Sequence, residues 1–192
     1  IYKNETKAFE DDGFVQPYGS IPFSYETIGA NVYVDLLLKA KKYVYIATPY
    51  LILDEEMENA IMQAAKNGVK VKILTPHIPD KKAVFALTRS YYYKLIETGV
   101  EIYEYTPGFV HSKMFLVDDL MASVGTINLD YRSLYLHFEN GVFLYKNSCL
   151  KDIKNDFDTT FLISKRISLE EAKPNFFQKI IRGILKIISP LL

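Results

Sequence analysis

Residues 43–74 read YVYIATPYLILDEEMENAIMQAAKNGVKVKIL, and the order of patterns in them decides the fold class. The run Tyr43-Val-Tyr-Ile-Ala is β-branched and aromatic and closes at Thr48-Pro49-Tyr50, as a buried strand does. From 55 to 68 the period changes. Met57, Ala60, Ile61, Ala64 and Ala65 fall on one face of a helix, and Gly68 stands at the position just past its end. Val69-Lys-Val-Lys-Ile-Leu74 then alternates as a half-buried strand. Strand, helix and strand in this order point to a layered α/β sheet covered by helices.

Outward from this unit the pattern continues. A second helix is expected over 81–98, stopped by Gly99, and a strand over 100–105 before Pro107-Gly108. Upstream, Ile28, Val32, Leu36 and Ala40 recur at helical spacing between 26 and 42, after a short strand and loops over 14–25. Downstream, 114–117 and 121–124 are short strands joined at Asp118-Asp119, so they form an antiparallel hairpin. A strand at 141–145 and a helix over 147–164 follow. The alternation predicts an α/β fold, a mixed sheet covered by helices.

The chain has 192 residues, with 23 Lys plus Arg against 23 Asp plus Glu. At 49% apolar and 24% charged it is a folding sequence and not a disordered one. Zero net charge argues against a dedicated nucleic-acid binder, which carries a basic excess. Cys149 is the single cysteine, which excludes a disulfide framework and a multi-thiolate zinc site. No run approaches the 18 apolar residues of a spanning helix. The charge is uneven, because 173–192 holds four basic residues and no acid. Phe176, Phe177, Ile180, Ile181, Ile184, Leu185, Ile187 and Ile188 make one wide apolar face there, opposite Lys179, Arg182 and Lys186. Such a helix, about 20 Å long, suits a membrane interface or an apolar groove.

The residues that carry chemistry lie between 111 and 139. His111 and Lys113 share one face of an extended segment, about 7 Å apart. Asn128 ends the partner strand of the hairpin and returns to the same place. An imidazole, an ammonium and a carboxamide converging at strand ends form a site for phosphoryl oxygens. Glu139 is placed to accept the second imidazole N–H and fix its tautomer. Asp118 lies five residues beyond Lys113, so alternation turns it to the opposite face, as support for the hairpin. His77 and His137 read as structural, and Cys149 as an inert thiol.

The spacing His111-x-Lys113-x4-Asp118-x6-Gly125-Thr126-x-Asn128 resembles the HKD motif of the phospholipase D superfamily. The stretch Asn128-Leu-Asp-Tyr-Arg-Ser-Leu-Tyr-Leu-His-Phe-Glu139 resembles bacterial cardiolipin synthases in particular. So do Thr48-Pro-Tyr50, Ile78-Pro-Asp-Lys-Lys82 and Tyr103-Glu-Tyr-Thr-Pro-Gly-Phe109, and the resemblance runs over 14–192. It implies a phospholipase D-like mixed sheet with helices on both faces, a single HKD domain over 1–165 and a basic amphipathic tail over 166–192.

It implies, further, the joining of two phosphatidylglycerols into cardiolipin and glycerol through a phosphohistidine, with no metal and no cofactor. His111, Lys113, Asp118 and Glu139 match catalytic positions; Lys113, Thr126 and Asn128 match phosphate-binding ones. His111 is the acid/base histidine on this reading. Relatives of this kind carry two such motifs, and this chain has one. It is therefore expected to be the C-terminal half of a longer enzyme at the cytoplasmic face of a bacterial membrane, paired with a missing N-terminal half or with a second copy. Two other readings stay open: a single-motif homodimeric phosphodiesterase or nuclease, and a lipid-binding half without catalysis.

Overall fold

The computed structural model describes residues 12–22, 24–175 and 183. Eight strands form one sheet in the order β1-β7-β6-β5-β2-β3-β4-β8. They are β1 Phe14–Ser20, β2 Tyr43–Ala47, β3 Lys70–Pro76, β4 Glu101–Tyr105, β5 Met114–Val117, β6 Met121–Gly125, β7 Glu139–Tyr145 and β8 Ser164–Arg166. β2, β3 and β4 are parallel, and every other pairing is antiparallel. The helices are α1 Ile28–Lys39, α2 Glu55–Lys66, α3 Lys82–Glu97, α4 Leu150–Leu162 and α5 Leu169–Ala172.

The apolar run at 43–47 is explained by its place in the sheet. β2 is central and all five of its residues are buried, so neither face needs polar side chains. Val44 and Ile46 face a core shared with α1, α2 and α3, which includes Leu36, Met57, Ile61, Leu87 and Leu95. Tyr43, Tyr45 and Ala47 face the other way, onto Leu150, Phe157 and Phe161 of α4. Helices thus cover both faces. α2 starts where Asp54 accepts the N–H of Met57 at 2.7 Å, with Glu55, Glu56 and Glu58 in the first turn. It stops at Gly68, whose φ of +88° is one that few side-chain-bearing residues adopt.

The hairpin expected around Asp118 is present, and its turn explains the Asp-Asp pair. Asp118 and Asp119 have φ of +55° and +56°, a left-handed conformation that Asp tolerates better than most residues. The Asp118 carboxylate accepts the backbone N–H groups of Lys41, Lys42 and Tyr43 at 2.6, 2.8 and 2.7 Å. It pins the first residues of β2 to the hairpin. Asp118→Ala is expected to cost about 2–3 kcal/mol, the loss of three charge-assisted bonds with two of them at the surface. Urea unfolding measures this, and a loss under about 0.5 kcal/mol would show that the clamp is idle.

Three features lie outside the sequence reading. A π-helical turn occupies Arg132–Leu136. β7 begins at Glu139, two residues earlier than expected, with Glu139 paired to Ser20 of β1. The helix expected over 147–164 ends at Leu162 as α4, and Ser164–Arg166 instead add strand β8 beside β4. β8 spans residue 165, and Ile167 and Ala172 beyond it belong to the main core. The basic amphipathic helix expected over 174–190 falls outside the described residues, except for Pro174, Asn175 and Gly183.

Candidate active site

The C-terminal ends of parallel β2, β3 and β4 lie at one edge of the sheet, where open α/β sheets hold their ligands. The antiparallel register brings the start of β5, the end of β6 and the start of β7 to the same edge. Every residue expected in the site except Asp118 is on this edge. Asp118 is at the far end of β5, roughly 13 Å of strand away from Met114. Asp118, matched to a catalytic position by the resemblance, thus stands apart from the other site residues. Its carboxylate is committed to the backbone of Lys41, Lys42 and Tyr43.

His111 and Lys113 precede β5 in irregular backbone, not in a strand. Lys113 is 8% exposed, while His111 is exposed. The main chain holds Lys113 to β6, since its carbonyl accepts the N–H of Gly125 at 3.2 Å. Its ammonium donates to the His111 carbonyl at 2.6 Å and lies 2.9 and 3.3 Å from the two nitrogens of the His111 ring. Burial lowers the Lys113 pKa, and the nearby charges of Glu139 and Asp130 oppose that shift. A cavity of about 310 Å³ opens beside His111, walled by Leu74, Tyr105, Phe109, Val110 and Phe157 among others. The Phe109 ring sits 5.7 Å from the imidazole.

Thr126, Asn128 and Glu139 form one connected set. The Thr126 hydroxyl donates to one oxygen of Glu139, and Ser133 donates to the other at 2.9 Å. The Asn128 amide in turn donates to Ser133 at 3.0 Å. Glu139 is therefore bonded to Thr126 and Ser133, and the expected bond from the His111 ring to Glu139 is replaced by contacts to Lys113. The imidazole beside Glu139 is that of His137, at 3.7 Å. Ser133 was not singled out by the sequence reading. It is 1% exposed and joins Asn128 to Glu139. The π-helical turn brings it back over Asn128, and no helix or strand period signals that return.

The backbone around these groups is fixed from several sides. Gly125 is needed because a Cβ there would lie 2.3 Å from the Asn140 carbonyl and 2.6 Å from the Gly141 Cα, at the close approach of β6 and β7. Tyr33 of α1 reaches through the core and donates to the Ile127 carbonyl at 2.8 Å. The Leu129 N–H donates to Thr48, and the Ile52 N–H donates to Leu129 at 2.7 Å. The Thr48-Pro49-Tyr50 stretch thus anchors the loop bearing Asn128. His77, read as structural, donates to Glu104 at 2.7 Å, and Arg89 grips the same carboxylate with two bonds of 2.7 Å.

Comparison with known proteins agrees with this geometry. The family described as cardiolipin synthase, phospholipase D-like domain, matches residues 33–161. The chain belongs to that family. A cardiolipin synthase of Halalkalibacterium halodurans is 38% identical over 184 residues, covering 95% of this chain and 37% of its own length. An uncharacterized protein of Streptococcus mutans is 52% identical over 182 residues, covering 94% of this chain and 40% of its own length. The chain thus spans about two fifths of the curated relatives it matches. Among solved structures, phosphatidylserine synthase from Haemophilus influenzae aligns with a TM-score of 0.75 at 20% identity, over 93% of this chain and 48% of that one. Nuc, a phospholipase D family member from Salmonella typhimurium, aligns with a TM-score of 0.65 at 17% identity, over 79% of this chain and 99% of that one. Both have the same fold, a mixed sheet flanked by helices.

Proposed function

We propose that the chain supplies one half of the active site of a phosphatidyltransferase that converts two phosphatidylglycerols into cardiolipin and glycerol. The observation that carries this reading is the convergence of His111 and Lys113 with Thr126, Asn128 and Glu139 at one sheet edge. Lys113 and Asn128 supply donors to the phosphoryl oxygens, where charge grows in the transition state. One histidine attacks phosphorus. A P–N bond forms, the P–O bond to glycerol breaks, and a second histidine gives the leaving oxygen its proton. A hydroxyl of the second lipid then attacks phosphorus, so that a new P–O bond forms, the P–N bond breaks to free the first histidine, and the hydroxyl proton passes to the second histidine. His111 takes the acid/base role in this scheme.

The partner histidine comes from another polypeptide segment. His77 is committed to Glu104, and His137 stands beside Glu139 without the Lys of a second motif. The chain's span of two fifths of its relatives leaves room for an N-terminal half in the parent protein, and a second copy is the alternative source.

The deciding assay presents phosphatidylglycerol vesicles and single- or double-stranded DNA to the chain, alone and within its longer parent polypeptide. Cardiolipin and glycerol should accumulate while DNA stays intact. DNA cleavage without cardiolipin would replace this reading with a nuclease.

The membrane role proposed for the basic tail has its own test. Among the described residues no helix is long and apolar enough to cross a membrane. Removing 174–192 is expected to weaken partitioning onto anionic vesicles by at least about tenfold, from three lost basic residues and an apolar face. Sedimentation with vesicles measures it, alongside a melting curve that should not move. Unchanged partitioning would refute an interfacial tail.

A further inference from the structure

A second cavity, of about 140 Å³, adjoins the site. Asn128 lies in its wall together with Tyr50, Lys81, Asp130, Arg132 and His137. That volume holds several water-sized groups. Its chemistry is mixed in a specific way. Asn128 turns its amide N–H to Ser133, which leaves its carbonyl Oδ1 buried and without a hydrogen-bond partner among the described residues. Such an acceptor is costly unless a donor arrives. Asp130 is 6% exposed and adds a carboxylate, of which one oxygen accepts the Ser133 N–H at 2.8 Å. Lys81 and Arg132, both exposed, add cations with several donors each.

The wall is built, not loose. The Tyr50 hydroxyl donates to Asp80 at 2.5 Å, and the other Asp80 oxygen accepts the Lys81 N–H at 2.6 Å. The loop bearing Lys81 is thereby tied to the stretch that anchors Asn128.

A bare phosphate does not satisfy this set, because the Asp130 carboxylate in the same wall repels it. A polyol does. Each hydroxyl can donate to an acceptor and accept from a cation. We propose that this cavity is a subsite for the free glycerol hydroxyls of a phosphatidylglycerol headgroup, with Asn128 shared between it and the phosphate. The inference rests on the phosphate-binding role given to Asn128 above, and it places the acceptor alcohol next to the reacting phosphorus.

The test is an NMR titration of the isotopically labelled chain with two probes, glycerophosphoglycerol (the deacylated headgroup) and inorganic phosphate. Glycerophosphoglycerol should move the Asn128 side-chain amide and the His137 ring signals. Its affinity should fall at least about fivefold in Lys81→Ala and in Arg132→Gln, while that of inorganic phosphate changes far less. Lys81 is exposed, so its variant is not expected to disturb folding. Signals of Asn128 and His137 that stay fixed, or an unchanged affinity in Lys81→Ala, would overturn the subsite. The His111 and Lys113 signals report separately on the active-site reading. If neither probe moves them while the Asn128 and His137 shifts persist, the catalytic reading fails and the polyol subsite stands.

Discussion

His111→Ala is expected to reduce cardiolipin formation from phosphatidylglycerol by at least about a thousandfold, in line with the loss of a positioned acid/base or nucleophile. No other imidazole in the chain takes its place. His77 is bound to Glu104, and His137 stands 3.7 Å from Glu139. The variant is also clean structurally. The His111 ring is exposed and contacts the Lys113 ammonium and the Phe109 ring, so melting should be unchanged. Product is measured by lipid chromatography and folding by thermal melting on the same preparation. Turnover within about tenfold of the unaltered protein, with an unchanged melt, would remove His111 from the mechanism. Lys113 would give a less clear answer, because it is buried and its truncation disturbs packing as well as charge.

The largest effect on stability is expected at Glu104, outside the reaction. Its carboxylate is fully buried and accepts three short bonds, two from Arg89 and one from His77. The Thr75 and Tyr92 hydroxyls pair with one another beside it, at 2.7 Å. Glu104→Ala strands the Arg89 guanidinium and leaves a hole at the end of β4. Breaking a buried pair from one side costs about 3–5 kcal/mol. Arg89 and His77 keep about two fifths of their side chains exposed, so water recovers part of the loss, and about 2–4 kcal/mol is expected. For a chain of this size that is a fall in Tm of roughly 5–15 °C. Urea unfolding of Glu104→Ala beside Glu104→Gln separates charge from shape, because Gln fills the space. A loss below about 1 kcal/mol in Glu104→Ala would show that the network contributes little.

Most of the fold was legible from local pattern. Period 2 and period 3.6 depend on neighbours in the chain, so 43–47, 55–68, 81–98 and 100–105 could be read directly. The Asp-Asp turn at 118 announced a hairpin because few residues tolerate its backbone. β8 and the π-helical turn escaped for the opposite reason. Ser164–Arg166 has no apolar alternation of its own, and is a strand because β4 offers an open edge beside it. Arg132–Leu136 follows neither period.

The site divides in the same way. Residue types and spacing determined which side chains are candidates for phosphate chemistry, since His111, Lys113, Thr126 and Asn128 sit in one short stretch whose order is fixed by covalent connection. The α/β class, the hairpin and the structural turn of Asp118 were also present in the sequence. Only the tertiary structure decided who bonds to whom. Glu139 went to Thr126 and Ser133 because β7 starts beside the end of β6 and the π-helical turn folds Ser133 between them. The His111 ring went to Lys113, and Asn128 was left with a buried unpaired oxygen in the wall of a cavity of mixed lining. Hydrogen bonds depend on angles and on distances of a few tenths of an ångström between segments far apart in the chain, and periodicity carries no such information.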